Sequence, residues 1–256
     1  MTATAAINGS QARVLALVSS GHFMSHFYGM VLPPLYPFLH DNLNVGYTEL
    51  GFLLSLQNII GSGMQFPSGM AVDRLGAKNM LLFGILGCAL SFAVIGLVGS
   101  FEALMVMTVL YAVGNSVFHP ADYSILNGTM NESYMGRSFS IHTFVGELGT
   151  AIAPSIMLFV AMTWGWRFSL MFAATLGVLV FIGFLLQYQA VKDDVVGARP
   201  RKAKKGMPAG ADAPMTNMEL IRHILKSPAI VFLFLFFCVG QLASGGLKSF
   251  SVSDRK

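Results

Sequence analysis

Long apolar runs separated by short polar connections dominate the pattern along this chain. Each of seven runs extends over roughly 20 residues or more, and apolar and polar positions do not alternate within them. A helix of that length rises about 30 Å, the thickness of bilayer hydrocarbon. The pattern therefore predicts transmembrane helices rather than β-strands. The predicted spans are residues 13–39, 47–70, 78–98, 102–127, 136–162, 166–189 and 228–248.

Composition supports the bilayer as the solvent of this chain. Hydrophobic residues make up 54% of it and charged residues 11%, with a mean hydropathy of +0.64, whereas soluble domains carry about 25% charged residues. We therefore expect an all-α membrane protein. No nucleophile elbow, P-loop or metal motif appears, so neither an enzyme nor a cofactor is predicted, and no nucleic-acid partner either.

One connection departs from the pattern of short loops. Residues 190–227 carry a run of Lys and Arg interspersed with prolines, which predicts a solvated basic linker, and residues 218–226 at its end read as an amphipathic helix at the membrane surface. The predicted parts are a cytoplasmic N-terminal tail (1–12), a six-helix transmembrane half (13–189), the linker (190–227), a seventh transmembrane helix (228–250) and a tail or truncation scar (251–256).

The distribution of basic residues predicts an orientation. Lys and Arg concentrate in cytoplasmic loops of membrane proteins. Alternate connections place most basic residues on one side and mainly acidic residues on the other, so the N-terminus and the linker are expected in the cytoplasm and the chain in the cell (inner) membrane. The first side holds Arg13, Arg74, Lys78, Arg137 and the linker, and the second holds Asp41, Glu49, Glu102 and Arg167.

A charged turn is predicted between the second and third spans, from Gly69 to Lys78. Gly69 ends the preceding helix without a side chain, and Gly76 suits the positive φ of a tight turn. Asp73 can accept bonds from backbone N–H groups at a helix start. Arg74 and Lys78 fit the cytoplasmic charge bias. An ordinary charged cytoplasmic loop could contain the same residue types. The spacing of the two glycines and Lys78, together with the length of the preceding span, favours a specific motif over such a loop.

Polar side chains at the predicted membrane depth are candidate site residues, because such groups are costly in hydrocarbon. His22 and His26 share one face of the first helix, and Asn115 and His119 share one face of the fourth. Glu147 lies in the middle of the fifth and is the leading candidate for proton coupling. The substrate-binding or coupling candidates are His22, His26, Gln57, Asn58, Asn115, His119 and Glu147.

Structural explanations stay open for these candidates. The two histidines of the first helix could form hydrogen bonds between helices or line a cavity, and a metal site is disfavoured because no H-E-x-x-H pattern accompanies them. Gln57 and Asn58 could equally hold helices together. Asn115 and His119 precede Pro120, whose missing N–H favours a local kink.

The remaining acidic candidates have structural explanations too. Asp122 is expected near the cytoplasmic end of its helix, where it would pair with a basic group such as Arg137 or cap a loop. Glu147 could form a hydrogen bond across a glycine-lined helix contact. That contact is predicted from a face of small residues followed by a proline, the motif Gly146, Gly149, Ala153 and Pro154.

These residues resemble the major facilitator superfamily from about residue 13 to the end of the chain. The turn is similar to the family's G-x-L-a-D-R-x-G-r-k motif, with Ala71 and Ala77 as departures. The string W-G-W-R-F at 164–168 and the glycine-rich stretch 146–154 look like the family's outer turn and fifth-helix motif. Short strings at 22–26, 33–37 and 118–121 resemble its fosmidomycin-resistance branch. The motif residues are Gly69, Asp73, Arg74, Gly76 and Lys78.

The resemblance implies two six-helix halves that alternate access to a site at the membrane midplane. The function it implies is secondary active transport of a small organic solute or drug, coupled to an ion gradient, with protons as the expected ion. The charged turn would latch the two halves together. One departure is the absence of an Arg between Ala103 and Tyr134, where many proton-coupled relatives carry one. The alternative is a non-transporting fragment or half-transporter that needs the missing C-terminal half.

Overall fold

The computed structural model describes residues 7–191 and eight further residues between 226 and 236. The chain divides into two compact units, Met1–Arg199 and Pro200–Lys256. In the part that is described, every regular element is helical, which confirms the predicted all-α fold. The predictions for the basic linker, for its amphipathic helix and for most of the seventh span fall outside the described residues.

Eight α-helices follow one another along the described residues 7–191 of the first unit. They agree with the first six predicted spans, except that the first and fourth spans are each divided into two helices. The helices are α1 (Gly9–Gly29), α2 (Tyr36–Leu43), α3 (Tyr47–Leu75), α4 (Ala77–Val98), α5 (Phe101–Asn115), α6 (Phe118–Thr129), α7 (Glu132–Trp164) and α8 (Trp166–Leu186). Two short 3₁₀ helices cover Pro33–Leu35 and Tyr188–Ala190.

The first helix starts earlier than the sequence analysis predicted. Asn8 is its N-cap: the Asn8 side chain accepts a bond from the Gln11 backbone N–H at 2.8 Å, and the Gln11 side chain accepts one from the Asn8 N–H at 3.3 Å. This capping box satisfies two backbone donors at the helix start. The box lies in polar sequence before the apolar run, so a boundary drawn from hydrophobicity alone falls about one turn late.

Prolines divide the two broken spans. Pro33 opens the 3₁₀ helix after α1, since proline cannot donate the bond that would continue the preceding helix. Pro120 stands in the first turn of α6, one turn beyond the break between α5 and α6. At that break the Ser116 hydroxyl lies 2.7 Å from the Val113 carbonyl and 2.7 Å from the Ser68 hydroxyl of α3. The helix is thus interrupted one turn before Pro120, as the missing N–H of a proline allows.

Four stretches of the described residues are long and apolar enough to cross a membrane: Ala77–Val98, Phe101–Thr129, Glu132–Trp164 and Trp166–Leu186. Helices α1 and α3 are long enough, at 21 and 29 residues, but they are less apolar than these four stretches. Polar side chains account for the difference, and several of those in α1 are turned toward neighbouring helices, including Ser19, His22 and Ser25.

The predicted turn between the second and third spans is shorter than expected. Helix α3 continues to Leu75, so Gly69 lies inside the helix and does not end it. Gly76 alone makes the turn, with a φ of +95°, the left-handed geometry predicted for it. Lys78 follows at the start of α4, with its ammonium 4.0 Å from the centre of the Tyr188 ring.

Contacts between connections agree with an up-and-down order of the helices. At one end, the Gln11 side chain donates to the Thr129 carbonyl at 2.9 Å, joining the start of α1 to the end of α6. Toward the other end of the helix bundle, the Arg167 guanidinium lies against Gly99 and joins the α7–α8 turn to the α4–α5 turn. Gly165 forms the α7–α8 turn with a φ of +93°.

Candidate functional site

Helices α1 and α7 pack with their backbones in contact, and this packing positions the candidate site. A Cβ added at Gly149 would lie 2.5 Å from the Phe23 carbonyl oxygen and 3.1 Å from the Phe27 nitrogen. One added at Gly146 would lie 2.5 Å from Cδ2 of His22. Small residues at such positions let membrane helices approach closely. Here they also make room for the imidazole of His22. Ala153, on the same face of α7, is fully buried, and Pro154 lies within the helix.

Three side chains from three helices meet beside this contact. We call His22 of α1, Asp122 of α6 and His142 of α7 the His–Asp cluster. The Asp122 Oδ2 atom lies 3.2 Å from Nδ1 of His22 and 3.5 Å from Nε2 of His142. All three residues are buried, with exposed fractions of 2%, 0% and 0% respectively. The cluster therefore places a carboxyl and two imidazoles inside the helix bundle.

Hydrogen bonding leaves most polar atoms of the cluster unsatisfied. Both carboxyl oxygens of Asp122, Nδ1 of His22 and both ring nitrogens of His142 have no hydrogen-bond partner among the described residues. The His22 and His142 rings stack at 3.8 Å, with 21° between their planes. Within the described part of the chain, no Lys or Arg forms an ion pair with Asp122. A buried carboxyl in this setting needs a proton or a bound cation to balance its charge.

Further polar residues lead from the cluster to an exposed carboxylate. The His119 ring lies 5.2 Å from that of His22 and 6.2 Å from that of His26. The His26 Nδ1 atom lies 3.0 Å from the Thr150 hydroxyl and 3.9 Å from a carboxylate oxygen of Glu147. The Glu147 side chain is 64% exposed. Four of the predicted candidates, His22, His26, His119 and Glu147, are therefore brought together.

The other predicted residues lie apart from this group. Gln57 is half-buried and Asn58 is exposed, both on α3, and no polar contact in the described part joins either to the His–Asp cluster. Asn115 ends α5 with a buried Oδ1 that has no hydrogen-bond partner among the described residues. Asp73 and Arg74 are exposed at the end of α3.

Two acidic residues have environments opposite to those predicted. Asp122 was expected to pair with Arg137 or to cap a loop, and this is wrong, because the Asp122 carboxyl faces two histidines and Arg137 is exposed. Glu147 was chosen as a carboxyl buried in the fifth helix, yet it is exposed in the described chain. The prediction failed because the side of the helix that each residue occupies could not be read from the sequence.

His142 was missed by the sequence analysis although it belongs to the cluster. It stands four residues before Gly146 and seven before Gly149, so all three share one face of α7. A histidine in register with a packing motif of glycines is a signal for an imidazole facing the neighbouring helix. That signal was available in the sequence.

A bundle of apolar helices around a buried polar cluster defines a multi-pass membrane protein, and comparison with known families makes the assignment specific. The family model of the Major Facilitator Superfamily matches residues 18–255, so the chain belongs to that superfamily, as the resemblance implied.

Relatives and solved structures agree with this family. The chain is 26% identical to a probable L-galactonate transporter of Escherichia coli (strain K12) over 59% of its own length and 33% of the relative. It is 22% identical to a fosmidomycin resistance protein of the same strain, over 64% and 41% respectively. A mutant of the peptide transporter POT bound to alafosfalin shares the fold, with a TM-score of 0.65 at 18% identity, over 93% of this chain and 47% of that one. The chain thus spans a third to a half of these proteins.

Proposed function

We propose that this protein is a secondary active transporter that moves a small organic solute or drug across the inner membrane by alternating access, coupled to protons. The observation that supports this most is the fully buried Asp122 between His22 and His142. A carboxyl inside a membrane bundle is costly, and it is usually kept for ion coupling or solute binding. Family membership supports the proposal that the helices around it form the N-terminal half of such a transporter.

The polar residues beside the cluster supply a path for the proton. Glu147 is exposed and lies near His26, whose ring is 4.5 Å from that of His22, and the His119 ring lies beside both, 5.2 Å from His22 and 6.2 Å from His26. Histidine and carboxylate groups in series can pass a proton stepwise between solvent and a buried acceptor. In this proposal Glu147 is the entry group and Asp122 the acceptor. No Arg on the fourth span is then required.

The solute would contact polar side chains outside the His–Asp cluster, and its site would be shared with a second half of the transporter. Gln57, Asn58 and Asn115 are proposed for this role, since each carries an amide that can both donate and accept. The relatives named above are described as transporting L-galactonate and as conferring fosmidomycin resistance. These two compounds are therefore the first solutes to test.

The proposal is tested in proteoliposomes that contain the protein expressed from its complete gene. The lumen is loaded with the pH-sensitive dye pyranine, and L-galactonate and fosmidomycin are added in turn. A solute that is transported with protons changes lumenal pH, and an ionophore that removes the pH gradient stops its accumulation. Absence of solute-dependent proton movement with a wide solute panel, in vesicles where the protein is folded, contradicts the proposal.

Replacing Glu147 with Gln is expected to slow proton-driven transport about tenfold or more, because the amide cannot take up a proton at the entry of the path. Solute exchange without a gradient should be affected far less. Glu132→Gln, at an exposed position on the same helix, is the matched control. If Glu147→Gln keeps the wild-type pH dependence, Glu147 has no part in coupling.

The charged turn is proposed to be a cytoplasmic gate that contacts the other half, with the N-terminus and the linker on the same side. Asp73 and Arg74 are exposed beside the fixed turn at Gly76, and are free to make such a contact. Gly69 and Lys78 complete the motif on α3 and α4.

Asp73→Asn is expected to reduce transport about tenfold while membrane insertion stays normal, because an exposed carboxylate contributes little to folding. Asp41→Asn, an exposed aspartate in α2, is the control. Transport rates in proteoliposomes and the amount of inserted protein are both measured. A wild-type rate for Asp73→Asn removes the motif from gating.

A further inference from the structure

We propose that the His–Asp cluster is a binding site for one divalent first-row transition-metal ion, of the kind exemplified by Zn²⁺ and Co²⁺. The ligands are His22 Nδ1, Asp122 Oδ2 and His142 Nε2. The sequence analysis disfavoured a metal at His22 and His26 because no H-E-x-x-H pattern accompanies them, and it did not place Asp122 and His142 beside His22. The inference concerns binding alone and does not depend on the transport proposal, but a bound ion and a proton would compete for the same Asp122 carboxylate.

The spacing of the three atoms fits a single ion. All three lie within 4.8 Å of one another, and Oδ2 lies 3.2 Å and 3.5 Å from the two nitrogens. Zinc binds imidazole nitrogen at about 2.0–2.1 Å and carboxylate oxygen at about 2.0–2.2 Å, which separates two ligands of a tetrahedral ion by about 3.4 Å. The two closer distances match that value.

Neither of the two short contacts is a well-formed hydrogen bond. The two ring nitrogens and the one carboxyl oxygen named as ligands have no hydrogen-bond partner in the described part of the chain, although they lie near one another. Buried polar groups are normally satisfied, so atoms that converge without bonding point to an absent partner. A cation would satisfy all three atoms at once.

Charge and ligand type lead to the same class of ion. One carboxylate with two neutral imidazoles offsets part of a divalent charge, and no Lys or Arg among the described residues competes for Asp122. Imidazole is a preferred ligand of Zn²⁺, Co²⁺ and Ni²⁺, whereas Mg²⁺ and Ca²⁺ prefer sites made of oxygen alone. Three protein ligands leave a fourth position open.

Ion binding requires one local adjustment. The stacked rings of His22 and His142 direct their nitrogen lone pairs along nearly parallel planes. One ring must turn about its χ2 bond before both lone pairs meet at one point, and this torsion is soft in histidine. The His22 ring lies directly against Gly146, where no side chain of α7 opposes its rotation.

The test uses the full 256-residue chain, purified in detergent without a histidine tag, stripped of metal and titrated with Co²⁺. We expect one Co²⁺ per chain and the intense visible d–d absorption of a low-symmetry site. Asp122→Asn and His142→Gln should each weaken binding at least about a hundredfold, since even outer-shell partners of a metal site are worth 10–100-fold. His40→Gln, in α2, is the control and should leave binding unchanged.

A second variant guards against loss of folding. His142→Cys offers a thiolate in place of the imidazole, so it should keep Co²⁺ bound and add a sulfur-to-cobalt charge-transfer band. Size-exclusion profiles report the folded state of each variant. The proposal is overturned if the wild-type chain takes up no stoichiometric Co²⁺, if Asp122→Asn and His142→Gln bind as tightly as wild type, or if folded His142→Cys lacks the new band.

Discussion

Replacing Asp122 with asparagine is expected to abolish proton-driven accumulation of solute, the largest functional effect that the proposed mechanism predicts. The amide has nearly the same shape as the carboxyl, so the contacts with His22 and His142 can persist. It cannot accept and release a proton. Accumulation in proteoliposomes under a pH gradient should therefore fall to background, because proton transfer by a positioned side chain commonly contributes about 10²–10⁴-fold to a rate.

The decisive comparison separates coupling from folding and from solute binding. Exchange of labelled for unlabelled solute needs no net proton movement, so it should continue in Asp122→Asn, and Asp122→Glu, which keeps a carboxyl, should restore part of the gradient-driven uptake. Asp41→Asn makes the same chemical change at an exposed site in α2. If Asp122→Asn accumulates solute against the gradient like wild type, Asp122 is not the proton acceptor.

Adding a single methyl group at Gly149 is expected to produce the largest loss of stability among conservative changes in α7. The new Cβ would lie 2.5 Å from the Phe23 carbonyl oxygen, and a backbone atom cannot rotate away as a side chain can. Overpacking of a tight contact costs about 1–3 kcal/mol. The two helices must separate to relieve the overlap, so Gly149→Ala should lower the midpoint of thermal denaturation in detergent by several degrees.

Gly136→Ala is the matched control for that substitution. Gly136 lies on the same helix, and a Cβ there would have no atom within 4 Å. Both substitutions gain the same intrinsic helix propensity, up to about 1 kcal/mol, so the difference between the two midpoints isolates the contact with α1. Equal midpoints for Gly149→Ala and Gly136→Ala would show that α1 and α7 are not held in backbone contact.

Much of the fold could be predicted from the sequence because bilayer thickness fixes the length of apolar helices. The spans, the breaks at Pro33 and Pro120 and the positive φ of Gly76 all follow from local chemistry. The boundaries that failed, at the starts of α1 and α7 and at the end of α3, lie in polar sequence where the helix continues outside the apolar run.

The candidate site could be predicted only in part, for a different reason. Sequence gives the depth of His22, His119 or Glu147 along a helix, but the rotation of each helix depends on its neighbours. Asp122 and Glu147 were assigned opposite environments because that rotation was unknown. His142 could have been found from its register with the glycines of α7, since the face that packs on α1 also carries the imidazole.

The break between α5 and α6 has a mechanical consequence for the His–Asp cluster. His22 and His142 stand on α1 and α7, which are in backbone contact at Gly149. Asp122 stands on α6, a segment of 12 residues that is separated from α5 by the break at Ser116 and Val117. A rotation of that short segment would move the carboxyl relative to both imidazoles without separating α1 from α7. The width of the cluster can therefore change by movement of the carboxyl alone.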